Sequence, residues 1–272
     1  MILIIQSIIM GIVEGITEFL PISSTGHMII VGHFINFTGD FATLFEIVIQ
    51  LGAILAIIVL YRAKLWDCIK NLKPGKSGFK LLINVLVAFL PSAVLGFILH
   101  KKIEAVLFGP VPVLAALIVG GILMILVENK FRSKDVIGDV DNIILPQALL
   151  IGCFQCLALW PGMSRSASTI MGAWIVGINS VAAAEFSFFL AIPTMIGATA
   201  LTLFKARMAL TGIEIISLIT GFVVSFIVAI VVVKKFIAFL QNKRMRVFAV
   251  YRICVGVFLF ALVFMKDRKS VV

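Results

Sequence analysis

Apolar positions run in long blocks with no two-residue alternation, at about 42–61, 81–99, 112–127, 185–204, 213–233 and 247–265. A helix needs roughly 20 apolar residues to cross about 30 Å of hydrocarbon. These blocks therefore predict six transmembrane helices, with 112–127 slightly short. Barrel strands would alternate at period two, so the spans are helices, which satisfy their own backbone. Four further blocks, 1–20, 22–36, 143–160 and 165–178, form two pairs, interrupted by Pro21 and Pro161. The second member of each pair is too short to span. Each pair reads as a re-entrant helical hairpin, tolerated only where protein buries it.

The two interruptions repeat one phrase. GIVEGITEFLPISSTGH (Gly11 to His27) aligns with GCFQCLALWPGMSRSAST (Gly152 to Thr169): Gly11 with Gly152, Glu14 with Gln155, and Pro21-Ile22-Ser23-Ser24 with Pro161-Gly162-Met163-Ser164-Arg165. HKKIEAVLF (His100 to Phe108) echoes VKKFIAFLQ (Val233 to Gln241), and Glu46 and Glu185 are each expected to serve the start of a span. Each half is then one hairpin plus three spans: residues 1–132 with hairpin 1–36, and residues 143–268 with hairpin 143–178. Three spans is an odd number, so the second half must enter the membrane upside down. The expected fold is one all-α polytopic membrane domain, an inverted-topology repeat of six transmembrane helices and two re-entrant hairpins.

Composition agrees. Hydrophobic residues are 62%, charged residues 13% and mean hydropathy is +1.20, far from a soluble domain. MILIIQSIIM at the start has no basic region or small-residue cleavage site, so no removable signal peptide is expected. The net charge of +10 sits in loops, without a basic stripe interleaved with aromatics, so nucleic acid is not an expected partner. Placing the 62–80 loop inside puts Arg62, Lys64, Lys70, Lys73, Lys76, Lys80, Lys130, Arg132, Lys134, Lys234, Lys235, Lys243, Arg244 and Arg246 inside. It leaves Lys101, Lys102, Lys205, Arg207, Lys266, Arg268 and Lys269 outside. The two-to-one bias favours both termini outside, against the basic C-terminus. The first hairpin then dips in from outside and the second from the cytoplasm, so their tips can meet. Cys153 and Cys156 have CxxC spacing but lie in an apolar segment with no second pair, and read as small helical residues.

Ionisable groups at membrane depth are costly and mark function. Glu14 and Glu18, four apart, project from one helical face. Pro21 ends that helix. Ser23, Ser24 and Thr25 can cap the next, with Gly26 and His27 in its first turn. In the second copy Ser164 can cap the helix, with Arg165 and Ser166 in its opening turn. Helix N-termini attract phosphate, and the planar guanidinium of arginine matches phosphate oxygens. The carboxylates make sense beside phosphate as divalent-cation ligands, or as a base and orienter for His27. Together the tips suit phosphoryl transfer from a membrane-embedded substrate. Arg252 reads as a structural ion-pair partner or a snorkelling cation, and His33 and His100 as interfacial residues.

GIVEGITEFLPISSTGH and LALWPGMSRSAST closely resemble the two signature motifs of the bacterial undecaprenyl-diphosphate phosphatases, the bacitracin-resistance (BacA/UppP-type) family. FEIVIQLGAILAI (Phe45 to Ile57) and EFSFFLAIPTMIGA (Glu185 to Ala198) also look like its pattern. The resemblance implies hydrolysis of undecaprenyl diphosphate to the monophosphate, recycling the lipid carrier for peptidoglycan synthesis and conferring bacitracin resistance. It also implies a bacterial cytoplasmic (inner) membrane location, a site reached from the outer side, and a divalent cation, Mg2+ or Ca2+. The family's acidic motif falls on Glu14 and Glu18, its Ser-Thr-Gly-His element on Ser24, Thr25 and His27, and its Ser-Arg element on Ser164 and Arg165. On that basis Glu14, Glu18, Ser24, His27 and Arg165 are expected to be catalytic. Ser23, Thr25, Gly26, Ser164, Arg165 and Ser166 are expected to hold phosphate, and Glu14 and Glu18 the metal. The nucleophile is Ser24 activated by His27, or His27 itself. A homodimer is compatible with this reading. A lipid transporter is the main rival, since broken helices in inverted repeats also build carriers. The acid-phosphatase-like lipid phosphatases need a second histidine after their Ser-Arg element, and none follows Arg165.

Overall fold

The computed structural model describes residues 1–132, 137–205 and 210–269, with side chains apart from those of His100, Glu104, 201–205 and 262–269. Lys134 and Arg207, and the side chains of His100, Lys205, Lys266, Arg268 and Lys269, lie outside the described residues. Eleven α-helices follow in order among them: α1 (Ile2–Thr17), α2 (Ser24–Phe34), α3 (Asp40–Leu60), α4 (Arg62–Lys70), α5 (Ser77–Leu107), α6 (Pro110–Phe131), α7 (Leu145–Gln155), α8 (Arg165–Ile175), α9 (Ser180–Lys205), α10 (Gly212–Asn242) and α11 (Arg246–Lys269). Cys156–Leu159 continues α7 as a 3-10 turn.

The chain is an all-α polytopic membrane protein. Among the described residues, five helices have the length and apolar character to cross a bilayer: α3, α5 over Ser77–Leu99, α6, α9 over Ser180–Ala200, and α10. The sixth expected span corresponds to α11. The block at 112–127 is less short than its apolar residues suggest, because α6 starts on Pro110 and runs on through Glu128. Glu128 stays in the protein because Met245 N–H, at 2.8 Å, and Arg132 donate to its carboxylate. Helix α4 lies inside the loop expected at 62–80. Its cations hide it from a search for long apolar blocks, although Leu65, Trp66 and Ile69 sit at helical spacing. Glu46 and Glu185 do not start spans; each lies beyond the first turn of α3 or α9, and Glu185 accepts from Tyr61 Oη at 3.4 Å.

Small residues let the hairpins press into the bundle. Helices α1 and α10 run parallel in close contact: a Cβ on Gly11 would lie 2.7 Å from the Gly221 carbonyl, and one on Gly15 2.8 Å from the Ser225 carbonyl. In the other half, Gly152 of α7 lies directly against the backbone of Ala88 in α5. Close helix approach through small residues is how membrane helices gain dispersion energy when lipid offers no hydrophobic contrast. Thus the first helix of each hairpin packs on the long helix of the opposite half. Helices α3 and α9, and α6 and α11, pair across the halves.

Candidate active site

The two hairpins break the same way. α1 stops at Thr17, Glu18 remains helical, and a turn through Pro21 leads to Ser23. Ser23 takes φ 72° and ψ 98°, and its Oγ accepts from Gly26 N–H at 3.3 Å. Ser164 takes φ 70° and ψ 121°, and its Oγ accepts from Ala167 N–H at 3.2 Å. Positive φ on a non-glycine residue is uncommon and stores strain of about 1–3 kcal/mol, characteristically at functional sites. The cap of the first hairpin is therefore Ser23, which places Ser24 and Arg165 as matching first residues of α2 and α8.

One guanidinium ties the tips together. Arg252 of α11 is fully buried, and its Nη1 donates to Pro21 O at 3.3 Å. Its Nη2 reaches Gly162 O and Met163 O, both at 2.9 Å, and Ala116 O at 3.3 Å. The expectation of an ion pair or a snorkelling cation is corrected: this arginine satisfies carbonyls that the broken helices leave without partners. Gly120, halfway along α6, leaves room for it, since a Cβ there would collide with the Arg252 head. Ser166 adds a second tie, donating to Leu20 O at 3.0 Å.

Where the tips meet, Glu18 is shared between the halves. Its Oε2 accepts from Ser24 Oγ at 2.5 Å, and its Oε1 from Arg165 Nη2 at 3.2 Å. Arg165 Nη1 donates to Ser187 O at 2.7 Å, and the guanidinium lies over the Phe19 ring at 6.0 Å. Arg165 Nε is buried without a protein partner. These groups open into a cavity of about 220 Å³. Of the expected site residues, Glu18, Ser23, Ser24, Thr25, Ser164 and Arg165 line it. Gln50, Ser92, Gln155 and Thr194 also line it, and Met195 and Ala198 extend it along α9 toward the α9–α10 connection.

Glu14, Gly26, His27 and Ser166 are not brought to the cavity wall. Gly26 N–H is occupied by its cap and the Ser166 hydroxyl by Leu20. His27 turns away from Ser24: Nδ1 contacts Ser23 O at 2.8 Å and Nε2 contacts Tyr251 Oη at 2.8 Å. The Ser24–His27 couple is absent, and the side chain that accepts from Ser24 is Glu18. Glu14 is fully buried, and both its carboxylate oxygens lack a protein partner. Orphaned hard oxygens one turn from Glu18 fit a divalent cation. Among the described residues no group of three acidic, histidine or cysteine side chains forms, so Glu14 and Glu18 are the side chains that would hold such a cation.

Sequence reasoning missed Ser92 and Thr194. Each follows a proline inside a span, Pro91-Ser92 and Pro193-Thr194, and a hydroxyl beside a mid-span proline was the signal available. Ser187 and Tyr251 carried no signal, because their roles depend on which helix face meets which tip.

The sequence of known proteins gives this geometry a family. A chain described as undecaprenyl-diphosphatase from Clostridium tetani is 54% identical over 267 residues, covering 98% of each chain. Relatives with the same description from Thermoanaerobacter sp. and Clostridium novyi are 54% and 56% identical, covering 98% and 95% of this chain. The profile of the family described as "Bacitracin resistance protein BacA" matches residues 7–258. The chain belongs to the BacA bacitracin-resistance family.

Proposed function

We infer that this protein hydrolyses undecaprenyl diphosphate to undecaprenyl phosphate and inorganic phosphate. It thereby recycles the lipid carrier for cell-wall synthesis and confers bacitracin resistance. The observation that carries the mechanism is the Glu18 bridge: one carboxylate accepts a hydrogen bond from Ser24 Oγ and holds Arg165 in the wall of a cavity lying between two helix N-termini. Ser24 is the nucleophile and Glu18 its general base. Ser24 Oγ attacks the terminal phosphorus and its proton passes to Glu18. The bridging P–O bond breaks, and its electron pair leaves with undecaprenyl phosphate. Arg165, through its unpartnered Nε and its fork, holds phosphate oxygens, assisted by the hydroxyls of Ser23, Thr25 and Ser164. Water then hydrolyses the phosphoserine. Glu14, with Glu18, would hold a divalent cation, Mg2+ or Ca2+, whose chemistry is neutralisation of the diphosphate charge. His27 acts by position, bracing α2 against Tyr251.

The reading includes two internally matched halves, inverted in the membrane. Gly11 and Gly152 align in sequence, and their packing partners Gly221 and Ala88 keep the register of the echo between His100 and Val233. In this reading the mouth opens on the outer side of the cytoplasmic membrane, with both termini outside; the bias of loop cations supports it, since the cavity lies toward the α5–α6 and α9–α10 connections, away from the cation-rich 62–80 loop.

Phosphate release from undecaprenyl diphosphate by detergent-solubilised protein tests the reading. Release should stop with chelator and return with Mg2+ or Ca2+. No release under any cation, together with intact lipid transport in vesicles, would replace the enzyme with a carrier.

A further inference from the structure

The second hairpin offers the cavity one group that the steps above leave unassigned. Gln155 of α7 occupies the position that aligns with Glu14, is only 2% exposed, and lines the cavity alongside Ser24, Glu18 and Arg165. Its Nε2 donates to Ser92 Oγ at 2.6 Å and approaches Thr194 Oγ1 at 3.4 Å. Both hydroxyls spend their own protons on helix carbonyls: Ser92 on Phe89 O at 3.0 Å, and Thr194 on Leu190 O at 2.7 Å. They can only accept from Gln155. This fixes the amide with nitrogen toward the hydroxyls and leaves Oε1 as the free end, a choice that otherwise has to be inferred from the network. Oε1 is buried and finds no partner among the described protein groups.

A buried acceptor without a donor costs about 1–3 kcal/mol, so something with a hydrogen to give belongs there. The ionised oxygens of the diphosphate substrate are acceptors and do not qualify. A divalent cation would find there a single neutral carbonyl beside the Arg165 guanidinium, whereas the carboxylate oxygens without a protein partner are those of Glu14. Water is the donor the reaction itself brings.

We propose that Gln155 Oε1 holds and orients the water that hydrolyses the phosphorylated Ser24. The proposal rests on the covalent Ser24 reading. In this step the water oxygen bonds to phosphorus and the P–Oγ bond breaks. Glu18 returns its proton to Ser24 Oγ, and inorganic phosphate leaves with the water's two protons before releasing one to bulk. The two hairpins thus divide the reaction: the carboxylate side activates serine, and the amide side presents water. A carboxylate at 155 would be a poorer choice, because it would place a second negative charge in the cavity that must admit a diphosphate.

Rapid-quench kinetics on the full-length solubilised protein with undecaprenyl diphosphate tests this, following both products and measuring phosphate on Ser24 by mass spectrometry. In Gln155→Met the first burst of undecaprenyl phosphate should stay within a few-fold of wild type. Phosphate release should fall on the order of 100-fold, the scale of a misplaced reactant, and phosphoserine should accumulate at Ser24. Gln155→Glu, which keeps an acceptor, should recover part of the second step. Wild-type phosphate release in Gln155→Met would overturn the proposal. So would an equal loss of both steps in the Met and Glu variants with lowered thermal stability, the mark of a packing role. Undiminished phosphate release by Ser24→Ala would instead remove the covalent reading, and the proposal with it.

Discussion

Ser23 and Ser164 both hold φ near 70° while their side chains cap the helix that follows. The two requirements conflict, since glycine would relieve the backbone but remove the cap. At Ser23 the alanine variant keeps the strain and loses the cap, whereas glycine loses only the cap. Ser23→Ala should therefore lower thermal stability in detergent by more than Ser23→Gly, the reverse of the order at an ordinary helical position; a scan of melting temperature decides it. At Glu18 and Ser24 the expected effects are chemical. Ser24→Ala should abolish phosphate release. Glu18→Gln should reduce kcat on the order of 10²–10⁴-fold, the usual contribution of a positioned base; equal kcat in Glu18→Gln and wild type would return the base role to another group. That Glu18, Ser24 and Arg165 are candidates was legible because charge and hydroxyls are conspicuous in apolar sequence, and the three do line one cavity. Their pairing was not, since adjacency suggested Ser24 with His27, while the helix turn after Ser23 directs His27 outward to α11.

At the scale of elements, the hairpins are held from outside themselves. Tyr251 and Arg252, consecutive on α11, fasten α2 through His27 and both tips through backbone carbonyls. If His27 works by position, His27→Ala and Tyr251→Phe remove the same brace. Each should lower kcat, and the double variant should lose no more than the worse single one; additive losses would give His27 a separate chemical role. The blocks of apolar residues and the paired prolines made the spans and hairpins readable. Helix α4 and the depth of Glu46 and Glu128 were not, because hydropathy reports transfer to lipid and these groups are sheltered by protein. The glycines were visible, but which helix they face is a property of packing. Gly11→Val would force bulk against the Gly221 carbonyl and Val224 and separate α1 from α10. Overpacking of this kind costs about 1–3 kcal/mol, and a lowered melting temperature is expected.

Across the whole molecule, the exchange of hairpins between halves explains why the site needs both. α1 packs on α10 and α7 on α5, so each tip is carried into the opposite half, and Glu18 meets Arg165 only there. The cavity then extends from mid-height along Thr194, Met195 and Ala198 toward one membrane face. Lys101 stands exposed at that end of the molecule, whereas exposed Lys73 belongs to the connection at the opposite end. On the proposed orientation, which rests on the bias of loop cations, the Lys73 side faces the cytoplasm and the mouth opens outside. In a background with Cys68, Cys153, Cys156 and Cys254 replaced by serine, Lys101→Cys should react with a membrane-impermeant maleimide on intact cells. Lys73→Cys should react only after the membrane is opened. The opposite labelling pattern would turn the molecule over and put the chemistry on the cytoplasmic leaflet, while leaving the Glu18–Ser24–Arg165 geometry untouched.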